Sequence, residues 1–221
     1  MTDDALDDAI TVYFWPTPNG LKISIMLEEL AMPYRVRYVD IGKGEQFAPE
    51  FLKISPNNRI PAIVDPDGPD GQPIAIFESG AILHYLGRKH AALYPVSERK
   101  KADVDQWLFW QVSGLGPMAG QCFHFRKYAP EPVPYGIERY TKEVTRLFGV
   151  MERRLADRQY LAGDYSIADI ACLPWVRLWP DLAQDIAAFP NLAAWLERIR
   201  DRPAVQRGLA VGNDENARKN A

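Results

Sequence analysis

The order of apolar patterns in residues 10–89 is the feature that most constrains how this chain can fold. Residues 10–15 (ITVYFW) are rich in β-branched and aromatic side chains, which predicts a strand. Pro16 and Pro18 end that strand. The next apolar residues recur at i, i+3, i+4 and i+7 and predict an amphipathic helix; they are Ile23, Met26, Leu27 and Leu30.

Three further strands and a second helix are predicted before residue 90. Residues 34–38 alternate between apolar and polar side chains, which predicts the second strand. Residues 62–64 and 74–77 are short apolar runs on either side of a segment rich in Pro, Asp and Gly, which predicts a hairpin. Ser79 then opens a helix. The predicted order, β-α-β-loop-β-β-α, is that of a thioredoxin-like domain.

The second half of the chain predicts helices only. Residues 114–117 (GLGP) indicate a break or kink within them, because proline cannot continue a helix unperturbed. Ser166 and Asp169 have the spacing of a capping box, so we expect Asp169 to be structural. The predicted division is an N-terminal arm (1–9), an α/β thioredoxin-like domain (10–90), a linker (91–97), an all-α helical domain (98–210) and a tail (211–221).

Composition excludes several classes of function. The formal net charge is −3 and the pI is about 5.7, so no nucleic-acid partner is expected. No apolar run is long enough to cross a membrane, and residues 1–8 do not have the pattern of a signal peptide, so we expect a cytoplasmic location. The three histidines lack metal-ligand spacing, and no metal is expected.

The two cysteines limit any thiol chemistry. Cys122 and Cys172 are 50 positions apart and form no C-x-x-C motif, which excludes a thioredoxin-type dithiol mechanism. Free cysteines are usually buried. If the protein carries out thiol chemistry, we therefore expect the reactive thiol to come from a ligand.

Several motifs give the chain a family resemblance. Ile60–Pro61, the segment FESGAI at 77–82 and the capping box at 166–169 resemble a cytosolic glutathione S-transferase over roughly residues 10–205. Four further segments resemble the bacterial nu class, which is similar to fungal nitrogen regulators; they are PTPNG (16–20), GKGEQF (42–47), SPNNRIP (55–61) and WLFWQVSGLGPM (107–118). The resemblance implies glutathione or glutathione disulfide as ligand, disulfide-bond reduction as activity, and a homodimer.

The resemblance also implies a binding role for four of these residues. Pro61 matches the family's cis-proline, so the backbone of Ile60 would pair with the cysteinyl backbone of glutathione as an added strand does. Ser79 would bind the γ-glutamyl carboxylate at a helix N-terminus, and Glu78 the ammonium. Each assignment has an alternative: Pro61 could be an ordinary trans proline, Ser79 could only cap its helix, and Glu78 could be a solvated acid.

Thr17 and Asn19 are the candidate catalytic residues. A thiol must ionise to react, and a hydroxyl or amide donor aimed at its sulfur would stabilise the thiolate, as would the positive end of a helix starting near Gly20. Related transferases use Tyr, Ser or Cys here, so this chain departs from that pattern. The alternative for both residues is turn chemistry, because Asn-Gly is a turn signal. Tyr13 is expected to be packed.

The remaining candidates are implied less directly. Gln46 would contact the glycyl end of glutathione, and Asn57 would orient the loop before the proline. Arg139 matches a family arginine that reaches glutathione, in cis or across a dimer, and its alternative is a solvated helix charge. Phe123 and His124 would line the side of the second substrate, unless they belong to the core. Weaker ligand candidates are Lys43, Asn58 and Arg59.

Three hypotheses for function follow. The first is a glutathione-dependent oxidoreductase that reduces a small disulfide with glutathione thiols rather than protein cysteines. The second is a transferase that conjugates glutathione to electrophiles or reduces peroxides. The third is a non-catalytic glutathione-binding regulatory module; the short segment before the first strand argues against it, since the fungal relatives carry a long polar extension there.

Overall fold

The computed structural model describes residues 9–213, so most of the predicted arm and tail lies outside the described residues. The chain forms two compact units. Among the described residues, the first contains residues 9–90 together with 203–213, and the second extends from Ala91 to Arg202. The sequence division placed residues 203–210 in the helical domain, whereas the structure places them in the first unit.

The first unit has the predicted α/β order. Its elements are β1 (Ile10–Phe14), α1 (Pro18–Glu29), β2 (Tyr34–Tyr38), α2 (Pro49–Leu52), β3 (Ala62–Asp65), β4 (Ile74–Phe77), α3 (Ser79–Lys89) and a final helix, α9 (Pro203–Ala210). The sheet order is β2-β1-β3-β4, with β1 parallel to β2 and the other two pairs antiparallel. The thioredoxin-like fold class predicted from the sequence is confirmed.

The returning helix α9 packs closely on α1. A Cβ atom added at Gly208 would lie 2.6 Å from the Cα atom of Ile25, so the two backbones are nearly in contact. Ser24 Oγ donates a hydrogen bond to the Gly208 carbonyl at 2.8 Å. Glu28 and Arg207 add an ion pair at 2.6 Å. Sequence periodicity shows which residues of a helix are apolar but not which domain the helix joins, so this assignment needed the structure.

The second unit is helical, as predicted. Its helices are α4 (Glu98–Trp110), α5 (Gly116–Lys127), α6 (Pro134–Arg154), α7 (Ile167–Val176) and α8 (Pro190–Arg200). The break expected at residues 114–117 is a π-helical turn, Gln111–Leu115, that connects α4 to α5. Pro117 is tolerated because it falls in the first turn of α5, where a missing N–H costs little. None of the helices within residues 9–213 is long and apolar enough to cross a membrane.

Asp169 accepts buried hydrogen bonds from three different parts of the second unit. It forms the predicted capping box with Ser166 at the start of α7, every residue of which is buried. Its carboxylate accepts from the Leu161 amide at 3.0 Å, from Trp195 Nε1 at 2.9 Å and from the Ser166 amide at 3.1 Å. Burial raises the pKa of Asp169 to about 6, although these donors act in the opposite direction. The residue is therefore structural.

We predict that Asp169→Asn destabilises the protein by about 3 kcal/mol. The new NH2 group can only donate, so buried N–H groups that now donate to the carboxylate would face another donor and lose their acceptor. Asp164→Asn is the matched control, since Asp164 is exposed and its ion pair with Lys100 lies at the surface; it should cost at most about 1 kcal/mol. Urea unfolding of both variants measures the difference. Equal losses would contradict the role assigned to the buried carboxylate.

Candidate functional site

A cavity of about 230 Å³ in the first unit brings most of the predicted ligand-binding residues together. Six of the sequence candidates line it: Asn19, Arg59, Ile60, Pro61, Glu78 and Ser79. Phe77 completes the lining. Residues from three separate segments therefore meet at one place, which the spacing in the sequence alone does not show.

The first segment is the start of α1. Thr17 caps this helix, because its Oγ1 accepts a hydrogen bond from the Gly20 amide at 3.2 Å, and Pro18 occupies the first turn. A hydroxyl oxygen that accepts in this way still has a hydrogen to donate. A Cβ atom at Gly20 would lie 2.3 Å from the Trp15 carbonyl oxygen, so only glycine fits this turn. Thr17 therefore stabilises the turn before α1, as the alternative for this residue proposed. Its hydroxyl can still donate a hydrogen bond to a ligand.

The second segment is the loop before β3. The Ile60–Pro61 peptide bond is cis, as the family resemblance implied, so the alternative of an ordinary trans proline is wrong. Ser55 Oγ donates to the Arg59 carbonyl at 2.8 Å and fixes the loop just before it. Within residues 9–213 the backbone of Ile60 makes no hydrogen bond, so its N–H and C=O are open to a ligand that adds as a strand. Asn57 is exposed in this loop and does not line the cavity.

The third segment joins β4 to α3. Glu78 is exposed and has φ 70° and ψ 117°, a conformation that is costly for a non-glycine residue. Its carbonyl accepts the first helical hydrogen bond, from Ile82 at 2.9 Å, so Glu78 and not Ser79 holds the N-cap position. Ser79 is the first residue of the helix and is 7% exposed. The alternative in which Ser79 only caps the helix is therefore wrong.

Lys22, which is absent from the sequence candidates, contacts Ser79 in the lining of this cavity. It is 1% exposed, and its Nζ donates to Ser79 Oγ at 3.2 Å. The signal in the sequence is weak: Lys22 is the only charged residue within the apolar run 21–27. A lysine on an amphipathic helix ordinarily faces solvent, and only the packing of α1 against α3 shows that this one does not.

The N-termini of α1 and α3 open onto the same cavity, through Asn19 and Ser79 respectively. The first turn of a helix leaves backbone N–H groups without helical partners and carries about half a positive charge. Two such ends at one cavity favour a ligand with negative charge at two points. The open backbone of Ile60 in the same lining adds a place where a peptide could pair.

A second cavity in the same unit, of about 440 Å³, lies beside the ends of β1 and β2. It is lined by Tyr13, Trp15, Arg37, Tyr38, Val39, Asp40, Lys43, Glu45, Ala48, Glu50, Phe51 and Ile54. Tyr13 is packed, as expected, with its ring 5.8 Å from that of Phe51. Gln46 is buried nearby in sequence, and its Oε1 has no hydrogen-bond partner among the described residues. Such an oxygen is suited to accept from a ligand.

The other candidates belong to the second unit. Arg139 is exposed on α6, His124 is exposed on α5, and Phe123 is half-buried with its ring 5.4 Å from that of Tyr128. The structure gives these three residues no ligand-binding geometry of their own, so their roles stay predictions. No group of His, Cys, Asp or Glu side chains among the described residues could hold a metal ion.

Both cysteines are buried in the second unit. Cys122 and Cys172 are 0% exposed, and the Sγ of Cys122 lies 3.7 Å from Thr141 Oγ1. Burial raises the pKa of Cys122 above its ordinary value. A thiol that is both buried and protonated is a poor nucleophile. Neither cysteine has the surroundings of a reactive thiol.

Comparison with protein-family models gives two matches. The description "glutathione S-transferase, N-terminal domain" matches residues 17–89, and "glutathione S-transferase, C-terminal domain" matches residues 136–203. The chain is also 54% identical over 202 residues to the disulfide-bond oxidoreductase YfcG of Escherichia coli, covering 90% of this chain and 94% of that protein.

Solved structures with the same fold hold related ligands. A glutathione transferase from Burkholderia graminis has a TM-score of 0.88 and 44% identity, covers 93% of this chain and 89% of its own, and contains two glutathione molecules per subunit. A glutathione transferase from Pseudomonas putida has a TM-score of 0.88 and 42% identity, covers 93% and 92%, and contains one glutathione disulfide per subunit.

We predict that Gly20→Ala destabilises the protein by about 2 kcal/mol, because the added methyl group meets backbone that cannot turn aside. Gly114→Ala is the control: a Cβ atom there has nothing within 4 Å, and alanine in a helix costs less chain entropy. Thermal unfolding compares the two. If Gly20→Ala is as stable as the control, the tight turn before α1 is not required.

Proposed function

Since this chain belongs to the glutathione S-transferase family, we propose that it reduces small disulfides with glutathione as the thiol donor. The observation that carries the proposal is the cavity where α1 and α3 begin, whose lining includes the open backbone of Ile60. Two comparisons support the redox assignment. One relative is a disulfide-bond oxidoreductase, and the solved structures with the same fold hold two glutathiones or one glutathione disulfide.

In the proposed complex, glutathione lies extended across the cavity. Its γ-glutamyl carboxylate accepts from Ser79 and the N-terminus of α3, and its ammonium pairs with Glu78. The cysteinyl backbone pairs with Ile60, which directs the sulfur toward the start of α1. The glycyl end lies toward Gln46, whose buried Oε1 then gains a donor.

Thr17 and Asn19 then act on the sulfur. A free thiol has a pKa of about 8.5, so only a few per cent is thiolate at pH 7. The positive end of α1, the Thr17 hydroxyl and the Asn19 amide all favour the charged sulfur over the neutral thiol. The site raises the thiolate fraction without any metal.

The reaction proceeds in two exchanges. The thiolate of one glutathione attacks a substrate sulfur, a new S–S bond forms, and the other substrate sulfur leaves as a thiol after taking up a proton. A second glutathione thiolate attacks the glutathione sulfur of this mixed disulfide and releases the second substrate thiol. One disulfide is reduced, two glutathiones are oxidised to glutathione disulfide, and no bond to the protein forms.

Conjugation of glutathione to an electrophile is the second candidate, because an activated thiolate also attacks carbon. Glutathione-dependent reduction of a small model disulfide, coupled through glutathione reductase to NADPH oxidation, separates the two. Turnover of the disulfide well above that of an aryl halide supports reduction. The reverse ratio would support conjugation, and binding of glutathione without any turnover would support a regulatory module.

The homodimer, the cross-subunit role of Arg139 and the cytoplasmic location stay predictions. Light scattering of the purified protein tests the first of them directly. A dimer is the expected result. A monomer at working concentration would contradict it and would also exclude any contribution of Arg139 across a dimer interface.

We predict that a variant with both Cys122→Ala and Cys172→Ala keeps its disulfide-reductase turnover within about twofold of the original protein. Both thiols are buried and lie outside the proposed chemistry. Each substitution should lower stability by about 1 kcal/mol, so the assay is run well below the unfolding midpoint. Loss of most of the turnover by a folded variant would refute the mechanism without protein cysteines.

We predict that Glu78→Gln weakens glutathione binding about two- to fivefold, because an exposed ion pair contributes up to about 1 kcal/mol. The substitution keeps the size of the side chain, so the unfolding midpoint should not change. Glu98→Gln, an exposed acid outside the cavity, is the control. Calorimetric titration measures the glutathione affinity of both variants. Equal affinities would show that Glu78 does not bind the ammonium group of glutathione.

A further inference from the structure

We propose that Lys22 is a positioning residue that orients the Ser79 hydroxyl toward the γ-glutamyl carboxylate and adds a buried positive charge behind it. This inference rests on the proposed function, because it concerns the end of glutathione that Ser79 would bind. The observation behind it is the buried hydrogen bond from Lys22 Nζ to Ser79 Oγ, 3.2 Å long, between α1 and the first residue of α3.

The burial of Lys22 argues for a role beyond stability. Lysine is almost never fully buried unless it is paired, and a buried ammonium must recover the cost of leaving water. An apolar side chain in the same place is often at least as stable. Lys22 is 1% exposed in a helix whose neighbouring residues, 20–27, are all buried, and Ser79 is one of its partners.

The hydrogen bond between Lys22 and Ser79 limits where the hydroxyl hydrogen of Ser79 can point. An ammonium can only donate, whereas a hydroxyl has one hydrogen to donate and two lone pairs that accept. When Lys22 donates to Ser79 Oγ, the Ser79 hydrogen must point elsewhere. Because Ser79 lines the 230 Å³ cavity, a ligand oxygen in that cavity is the acceptor this arrangement favours. A charged donor also polarises the hydroxyl and strengthens its own donation.

The distance brings the charge within range of a ligand. A carboxylate oxygen that accepts from Ser79 at about 2.7 Å would lie at most about 6 Å from Lys22 Nζ, given the 3.2 Å bond between them. Opposite charges act on each other over about 4–6 Å. The ammonium and the N-terminus of α3 therefore both favour a negative group bound at Ser79.

The test compares two peptides. One is glutathione, and the other is γ-aminobutyryl-cysteinyl-glycine, which lacks only the γ-glutamyl α-carboxylate. Lys22→Met, which keeps the length of the side chain, should weaken glutathione binding about 10- to 100-fold and change binding of the second peptide less than about threefold. In turnover, the KM for glutathione should rise while kcat stays within about twofold. Lys22→Arg should restore most of the affinity for glutathione.

A Ser79→Ala variant completes the cycle. If Lys22 acts through Ser79, adding Lys22→Met to Ser79→Ala should cause much less loss than Lys22→Met causes alone. If circular dichroism shows that the Lys22→Met variant does not fold, Lys22→Gln takes its place. Glutamine removes the charge but keeps a hydrogen-bond donor. Lys22→Gln should therefore also weaken binding of glutathione more than binding of the second peptide, but by a smaller factor than Lys22→Met.

Three results would overturn the inference. Unchanged glutathione affinity in the folded Lys22 variant is the first. The second is an equal loss for both peptides, which a merely structural lysine would cause. Failure of the original protein to bind glutathione at all would overturn the proposed function and this inference with it, whereas the first two results leave the proposed function intact.

Discussion

The meeting of two helix N-termini at one cavity is the constraint on which the rest of the first unit depends. The turn at Thr17 starts α1, and the strained residue Glu78 starts α3. Each start exposes backbone N–H groups that the helix itself cannot satisfy. Thr17 and Gly20 form the tight turn, and Lys22 and Ser79 join the two helices behind it. The first turns of both helices therefore face the cavity, with the carboxylate of Glu78 in the same lining.

Under the proposed function, a chain whose two cysteines are both buried can still support thiol chemistry. In that proposal the protein supplies dipoles and donors in fixed positions, and the ligand supplies the sulfur. The backbone strain at Glu78 is consistent with this division, because such conformations persist where the surrounding fold imposes them and are concentrated at functional sites. Asp169, by contrast, stabilises the helical unit and contributes to folding rather than to chemistry.

Much of the fold could be predicted from the sequence, because local patterns determine it. Strand alternation and helical periodicity predicted β1 to β4 with α1 and α3, and the capping box at Ser166 predicted the start of α7. The cis Ile60–Pro61 bond was also predicted, through the resemblance. Residues 203–210 were placed in the helical domain, whereas the structure packs them as α9 on α1 through Gly208, a close backbone approach that no local pattern encodes.

The site was predicted only in part, for a related reason. Motifs indicated Asn19, Ile60 and Ser79, but Lys22 became visible only when two helices distant in sequence were placed together. The N-cap of α3 was likewise assigned to Ser79 as an alternative, because serine is a common cap, whereas the structure gives that position to Glu78. Sequence shows which groups are present; packing decides which of them face a ligand.

The central claim is that the start of α1 stabilises a glutathione thiolate, and the pKa of the bound thiol tests it most directly. Ultraviolet absorbance of the thiolate, recorded against pH for glutathione bound to the variant lacking both cysteines, measures that pKa without interference from protein thiols. The account predicts a pKa at least about one unit below the ordinary value of about 8.5. A bound thiol that titrates at the same pH as free glutathione would contradict it.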